Sequence, residues 1–147
     1  MIRDAMVEDV RSVAEYMKEF EEETAYVNVD VDHATKQYKR LLKDGNAGIL
    51  MLINDKTGEM NGALGYVVSQ GLHDPLIYAI ETFWMVSKEH RGRGISLFFE
   101  FEKKAKALGA DKIAMIHMVD SHPEVLARLY KKKGYDLIEH HYMRGIK

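Results

Sequence analysis

The most informative stretch of the sequence is EHRGRGIS, residues 89–96, in which two glycines alternate with arginines directly ahead of an apolar run. The segment before it, YAIETFWMV at 78–86, is rich in aromatic and β-branched residues and predicts a strand. The segment after it has an apolar helical face that stops at Gly109; that face consists of Phe98, Phe101, Ala105 and Leu108. The stretch is therefore predicted to be a turn from a strand into a helix N-terminus.

Such a turn is chemically suited to an anion. A helix N-terminus offers unpaired N–H groups and the positive end of the helix dipole. Gly92 and Gly94 have no side chains to keep an anion at a distance, and Arg91 and Arg93 add positive charge, which suits a phosphate or pyrophosphate. A P-loop GxxxxGK[ST] is absent, and Leu97 stands at the third glycine position of a Rossmann GxGxxG. A solvated turn with surface arginines would have the same residues, so the turn alone leaves both interpretations open.

The remaining patterns predict a mixed α/β sheet covered by helices. The expected elements are a strand at 1–5, a helix from Val7, a helix capped by Asp32 and ending near Gly45, a hairpin at 48–53 and 62–69, a strand at 112–118, a helix started by a Ser121–Glu124 capping box and closed by Gly134, and one or two closing strands in 135–146. No repeat or linker interrupts this order, so residues 1–147 are predicted to form a single domain.

Composition narrows the function classes. A net charge of -2 predicts no nucleic-acid or anionic-membrane partner, and no apolar run approaches the ~20 residues of a membrane helix. The absence of cysteine removes disulfides and thiolate chemistry and fits a cytoplasmic protein. Seven histidines are present, but HExxH is missing and no convincing ligand set is visible, so no metal is predicted.

Residues 91–96, the glycine–arginine turn, resemble motif A of the GNAT acetyltransferase superfamily, which reads Q/R-x-x-G-x-G/A between a central strand and a helix. Arg91, Gly94 and Ser96 take the three defined places. ARLYKKKGY at 127–135 is similar to the second signature of that family, and IRDAMVEDV at 2–10 is similar to its opening strand and helix. The resemblance implies a GNAT-like fold: a central mixed, mostly antiparallel twisted sheet of six or seven strands flanked by about four helices.

The resemblance also implies acetyl-coenzyme A as co-substrate. Its pyrophosphate would lie on Arg91, Gly92, Arg93, Gly94, Ile95 and Ser96, and its pantetheine arm beside Met85 and Val86. Two departures from the family pattern stand out. Ser96 replaces the usual final glycine or alanine, and Pro123 stands where many members have an asparagine that contacts the pantetheine arm.

The implied reaction is acetyl transfer to a primary amine by direct attack through a tetrahedral intermediate. Glu81 is the candidate general base, because a carboxylate inside an apolar strand needs a partner or a purpose. The alternatives are a glutamate on an open face of the sheet and one paired with a basic side chain. The resemblance places Tyr130 beside the thiolate leaving group as proton donor, whereas its helical spacing from Leu126 also fits a core tyrosine.

The acceptor is not identified by the sequence. We expect residues 21–30 and 71–75 to select it, because acceptor choice lies in variable loops. Residues that would either shape that pocket or serve only packing and solvation are Glu19, Glu21, Glu22, Glu23, Tyr26, His73 and Trp84. A non-catalytic acyl-coenzyme A-binding sensor or interaction module on the same fold remains the alternative function, and exposed edge strands near the C-terminus would also allow a homodimer.

Overall fold

The computed structural model describes residues 1–118 and 120–147. Its elements in chain order are β1 (Ile2–Asp4), a 3₁₀ turn (Val7–Asp9), α1 (Val10–Glu19), a 3₁₀ turn (Glu21–Glu23), α2 (Val31–Asp44), β2 (Ala47–Ile53), β3 (Met60–Gln70), β4 (Ile77–Val86), a 3₁₀ segment (Lys88–Arg93), α3 (Ile95–Ala107), β5 (Lys112–Ala114) and α4 (Pro123–Lys132). Residues 1–116 form one compact unit, and residues 117–147 form a second, smaller one. Among the described residues, no helix is both long and apolar enough to cross a membrane.

The sheet is mixed and mostly antiparallel, as predicted. Its strand order is β1-β2-β3-β4-β5; the first three pairings are antiparallel and the β4–β5 pairing is parallel. It has five strands within the described residues, instead of the six or seven expected. The predicted strand at 112–118 ends at Ala114, and the described residues 135–147 contain no strand. Strand propensity alone was insufficient there, because a strand also needs a neighbour that completes its backbone hydrogen bonds.

Apolar side chains cover both faces of the sheet. On one face α3 packs Leu97, Phe101 and Ala105 against the strands in a fully buried cluster. On the other face the cluster includes Val13 of α1 and partly buried side chains of α2. The strands are thereby held between two helical layers, which fixes the end of β4 against the start of α3.

Two helix starts differ from the sequence prediction. The N-cap of α2 is Asp30, whose carboxylate accepts from the His33 N–H at 2.9 Å, while Asp32 lies in the first turn and forms an ion pair with Arg11. The predicted Ser121–Glu124 capping box is also wrong. His122 is the N-cap in a left-handed conformation, and Pro123 begins α4, where its missing N–H costs no helical hydrogen bond.

Candidate functional site

The candidate site begins at a bulge in β4. Tyr66 of β3 pairs with Glu81 and Gly65 pairs with Phe83, so Thr82 is the extra residue on β4. A side chain at Gly65 would lie 2.2 Å from the Phe83 ring, so only glycine leaves room for that ring beside the bulge. A bulge bends its strand and redirects the side chains around it. It therefore changes the course of β4 immediately after Glu81.

The parallel ladder between β4 and β5 ends at the same place. Its last pair is Ile80 with Ala114. The next contact between the two segments is made by a side chain, because the Glu81 Oε2 accepts from the Ile116 N–H at 3.0 Å. Within the described residues, β4 from Glu81 onward is thus paired with β3 on one side and lacks a strand partner on the other.

Glu81 is a buried carboxyl group, with only 3 % of the residue exposed. Burial raises its pKa to about 7, and the hydrogen bond from the Ile116 N–H partly opposes that rise. No basic side chain forms an ion pair with it in the part of the chain that the structure describes. Both alternatives considered for Glu81, an open sheet face and a basic partner, are therefore wrong.

A 3₁₀ segment carries the chain from β4 into the glycine–arginine turn. Ser87 anchors its start through two contacts with the Asn61 carbonyl, from its N–H at 3.0 Å and from its hydroxyl at 3.2 Å. The backbone then winds through the 3₁₀ segment into α3, and the Gly94 N–H donates to the Arg91 carbonyl at 3.1 Å. A Cβ at Gly94 would lie 2.5 Å from Val86 Cγ2, so this glycine lets the turn pack closely on the end of β4.

The turn presents its polar residues in different ways. Gly92 has open space where a Cβ would be, and Arg93 is exposed and forms no ion pair within the described residues. Both Glu23 oxygens contact the Arg91 Nη2, at 2.6 and 2.7 Å. The Ser96 hydroxyl donates to the Arg93 carbonyl at 2.6 Å. Arg93 and the backbone at Gly92 are therefore the parts of the turn most directly open to a ligand.

The strand residues ahead of the turn are partly buried. Met85 pairs with Ala63 and Val86 pairs with Gly62. Trp84 stacks on Phe98 of α3 with ring centroids 6.0 Å apart, which shows a packing role. Its Nε1–H is nevertheless buried and has no hydrogen-bond partner among the described residues, a state that costs about 1–3 kcal/mol unless a ligand or water accepts the hydrogen bond.

Tyr130 lies in the second unit, on the last turn of α4, and is 9 % exposed. Its ring stacks on His117 at a centroid distance of 6.1 Å and lies 5.8 Å from the Tyr135 ring. This burial agrees with the core interpretation without testing the catalytic one. Its proton-donor role stays a prediction.

Sequence reasoning missed several residues that shape this site. Thr82 forms the bulge, Asn61 holds the turn through its carbonyl, and Glu23 reaches Arg91 from 68 residues away. No local pattern marks Thr82 or Asn61, because their roles depend on strand register and backbone groups. The acidic cluster was visible in the sequence, but its contact with Arg91 was not.

Comparison with solved structures decides the fold. A protein described as a probable acetyltransferase matches with a TM-score of 0.79 and 16% identity, over 100% of this chain and 98% of that one. An aminoglycoside acetyltransferase from an uncultured soil metagenomic sample matches with a TM-score of 0.76 and 18% identity, again over 100% and 98%. The fold is that of the GNAT acetyltransferases.

A further solved structure that matches the chain is not described as an acetyltransferase. A transcriptional regulator from Bacillus halodurans C-125 has a TM-score of 0.78 and 17% identity, over 99% of both chains. No family model matches the chain, and no curated protein does. At these identities the likeness concerns the fold alone. The glycine–arginine turn does connect a central strand to a helix, as the resemblance predicted.

Proposed function

We propose that this chain is an N-acetyltransferase that moves an acetyl group from acetyl-coenzyme A to a primary amine. The observation that carries the proposal is a buried carboxyl group, Glu81, on the strand that precedes a glycine–arginine turn whose Gly92 and Arg93 are exposed. Glu81 would supply a proton acceptor, and the turn would supply a binding place for an anionic co-substrate. The GNAT fold supports this combination of a proton acceptor and an anion site by analogy.

The residues of the turn fit a pyrophosphate. The backbone at Gly92 is open, Arg93 is exposed, and the first turn of α3 contributes the positive end of a helix dipole. The pantetheine arm is proposed to lie beside Met85 and Val86, along the side of β4 that lacks a strand partner within the described residues. Unpaired strand N–H groups of this kind can hold a thioester carbonyl and stabilise the oxyanion that forms on attack.

Glu81 is proposed to take the proton from the attacking amine. At pH 7.4 only about one lysine-like amine in a thousand is neutral, which places the reactive form roughly 4 kcal/mol uphill. A carboxyl group whose pKa is about 7 is suited to this transfer, because it is substantially ionised at neutral pH and still basic enough to hold a proton. Since Glu81 is nearly fully buried, the proton would reach it through a water molecule.

The remaining steps complete the transfer. The neutral amine nitrogen forms a C–N bond to the thioester carbonyl carbon and then loses its extra proton to water, and collapse of the tetrahedral intermediate breaks the C–S bond. The leaving thiolate takes up one proton, for which Tyr130 is the proposed donor. A phenol with a pKa of ~10 can protonate a thiolate, and this assignment rests on the resemblance of 127–135 to the family signature.

The first test is thermal unfolding with and without acetyl-coenzyme A, for the wild type and for Arg93→Glu. At about a hundred times the dissociation constant, the ligand should add roughly 2.7 kcal/mol of stability, or about 5–10 °C in Tm. Arg93→Glu should lose most of that shift, whereas Arg40→Glu, an exposed charge reversal on α2, should keep it. An unshifted wild-type melt at saturating ligand would contradict the proposed co-substrate.

A pair of glycine variants tests how closely the ligand approaches the turn. Gly92→Ala should leave the free energy of unfolding unchanged or slightly raised, because its Cβ meets open space, yet weaken acetyl-coenzyme A binding at least tenfold. Gly94→Ala should lower the free energy of unfolding by about 1–3 kcal/mol, because its Cβ crowds Val86. Denaturant unfolding and calorimetric titration measure both effects. Wild-type affinity in Gly92→Ala would rule out close backbone contact.

The alternative is a non-catalytic acyl-coenzyme A sensor, which the likeness to a protein described as a transcriptional regulator favours. The two functions differ in turnover. Acetyl-coenzyme A should be incubated with polyamine, aminoglycoside, amino-acid and peptide amines while release of the coenzyme A thiol is followed. Amine-dependent thiol release supports the enzyme, whereas tight binding without release to any of these amines supports the sensor.

A further inference from the structure

An ion pair joins the glycine–arginine turn to the segment between α1 and α2. Both Glu23 carboxylate oxygens contact the Arg91 Nη2, at 2.6 and 2.7 Å. The two side chains are about one-quarter and one-third exposed, so they are partly shielded from water. Charge-assisted contacts of this length are among the stronger hydrogen bonds in proteins. Arg91 is therefore already partly neutralised before any anion arrives.

Glu23 belongs to a loop whose ends are fixed, residues 21–30, here called the acidic loop. Glu21 accepts from the Val29 N–H at 2.7 Å and also pairs with Lys18 at 2.6 Å. Val29 is buried, whereas residues 25–28 are exposed. The Glu23 carboxylate thus forms a contact between the acidic loop and the glycine–arginine turn.

We propose that Glu23 is an internal competitor for the anion on the turn, so that binding of acetyl-coenzyme A releases the acidic loop. This proposal rests on the proposed function, since it takes the pyrophosphate as the incoming anion. Among the contacts of the described residues, Glu23 meets Arg91 at Nη2, which leaves Nε and Nη1 to receive a first phosphate oxygen. The pyrophosphate and the carboxylate would then share one guanidinium and repel each other.

Displacement of the Glu23 carboxylate by the pyrophosphate would link co-substrate binding to acceptor selection. The acidic loop is one of the two segments that we expect to choose the acceptor, and its attachment to Arg91 would end when the co-substrate binds. The acidic loop would therefore become free to adjust to the acceptor only after acetyl-coenzyme A is in place. Glu23 would act as a positioning residue, through Arg91 and the loop.

Calorimetric titration with acetyl-coenzyme A tests the competition. Glu23→Gln should bind about three- to tenfold more tightly than the wild type, because it removes a negative charge next to the anion. Glu22→Gln makes the same change at an exposed neighbour and should stay within about twofold of the wild type. In an Arg91→Gln background, Glu23→Gln should lose its effect, since the two residues act through their contact. Unchanged or weaker binding by Glu23→Gln would overturn the competition.

Hydrogen exchange tests the release of the loop. In the wild type, exchange of the amides at 23–28 should become faster when acetyl-coenzyme A binds. In Glu23→Gln the same amides should exchange quickly before the ligand is added and change little afterwards. Slower exchange on binding in the wild type would overturn the release. If the wild type does not bind acetyl-coenzyme A, the proposed function fails; binding with no gain in Glu23→Gln contradicts this inference alone.

Discussion

Replacing Glu81 by glutamine is expected to lower kcat for acetyl transfer about 100-fold, the low end of what a general base contributes. Glutamine has nearly the same shape, and its Oε1 can still accept from the Ile116 N–H, so the structure around it should persist. It cannot accept the amine proton. The measurement is the steady-state rate of thiol release with whichever amine proves to be an acceptor.

The dependence of the rate on pH separates a chemical role from a structural one. In the wild type, kcat/KM should rise with pH and level off above about pH 7, following ionisation of Glu81. This step should be absent from the residual activity of Glu81→Gln, while its dissociation constant for acetyl-coenzyme A stays within about threefold. Glu59→Gln, on the exposed turn before β3, is the matched control. Wild-type turnover by Glu81→Gln would remove Glu81 from the mechanism.

The same substitution is expected to change how stability depends on pH. The pKa of Glu81 is about 7 in the folded chain and ordinarily 4.5, so over this range the unfolded chain holds fewer protons than the folded one. The free energy of unfolding should therefore fall as pH rises from about 4.5 to 7 and show no further loss from Glu81 above that. A shift of this size corresponds to about 3 kcal/mol, which Glu81→Gln should not lose.

Denaturant unfolding at about pH 4.5 and pH 8 measures this difference. Other groups titrate over the same range, so the informative quantity is the wild-type change minus the change in Glu81→Gln. Between these two pH values, the free energy of unfolding should fall further in the wild type than in Glu81→Gln. Equal pH dependence in the two proteins would show that Glu81 ionises without penalty, and the burial argument for a raised pKa would then fail.

Local patterns predicted much of the fold. Apolar spacing predicted the helices that cover the sheet, two apolar runs at 48–53 and 62–69 predicted the β2–β3 hairpin, and Gly45 was correctly expected to end α2. The errors fell where local patterns compete. Asp30 and Asp32 can both cap a helix, and the path of the preceding loop determines which of the two does so. Residues 135–146 have strand-like composition but form no strand in the described structure.

For the site, the sequence determined the chemistry that is available: glycines and arginines at a helix N-terminus, and one carboxyl group in an apolar strand. Residue type and spacing along the chain suffice for that, because both are local. The tertiary structure decided how those groups behave. Folding buries Glu81 where the β4–β5 ladder ends beside the Thr82 bulge, and that burial raises the pKa of its carboxyl group. Folding also brings Glu23 onto Arg91. Burial and long-range charge pairing arise only when distant segments meet, so no local pattern could have shown them.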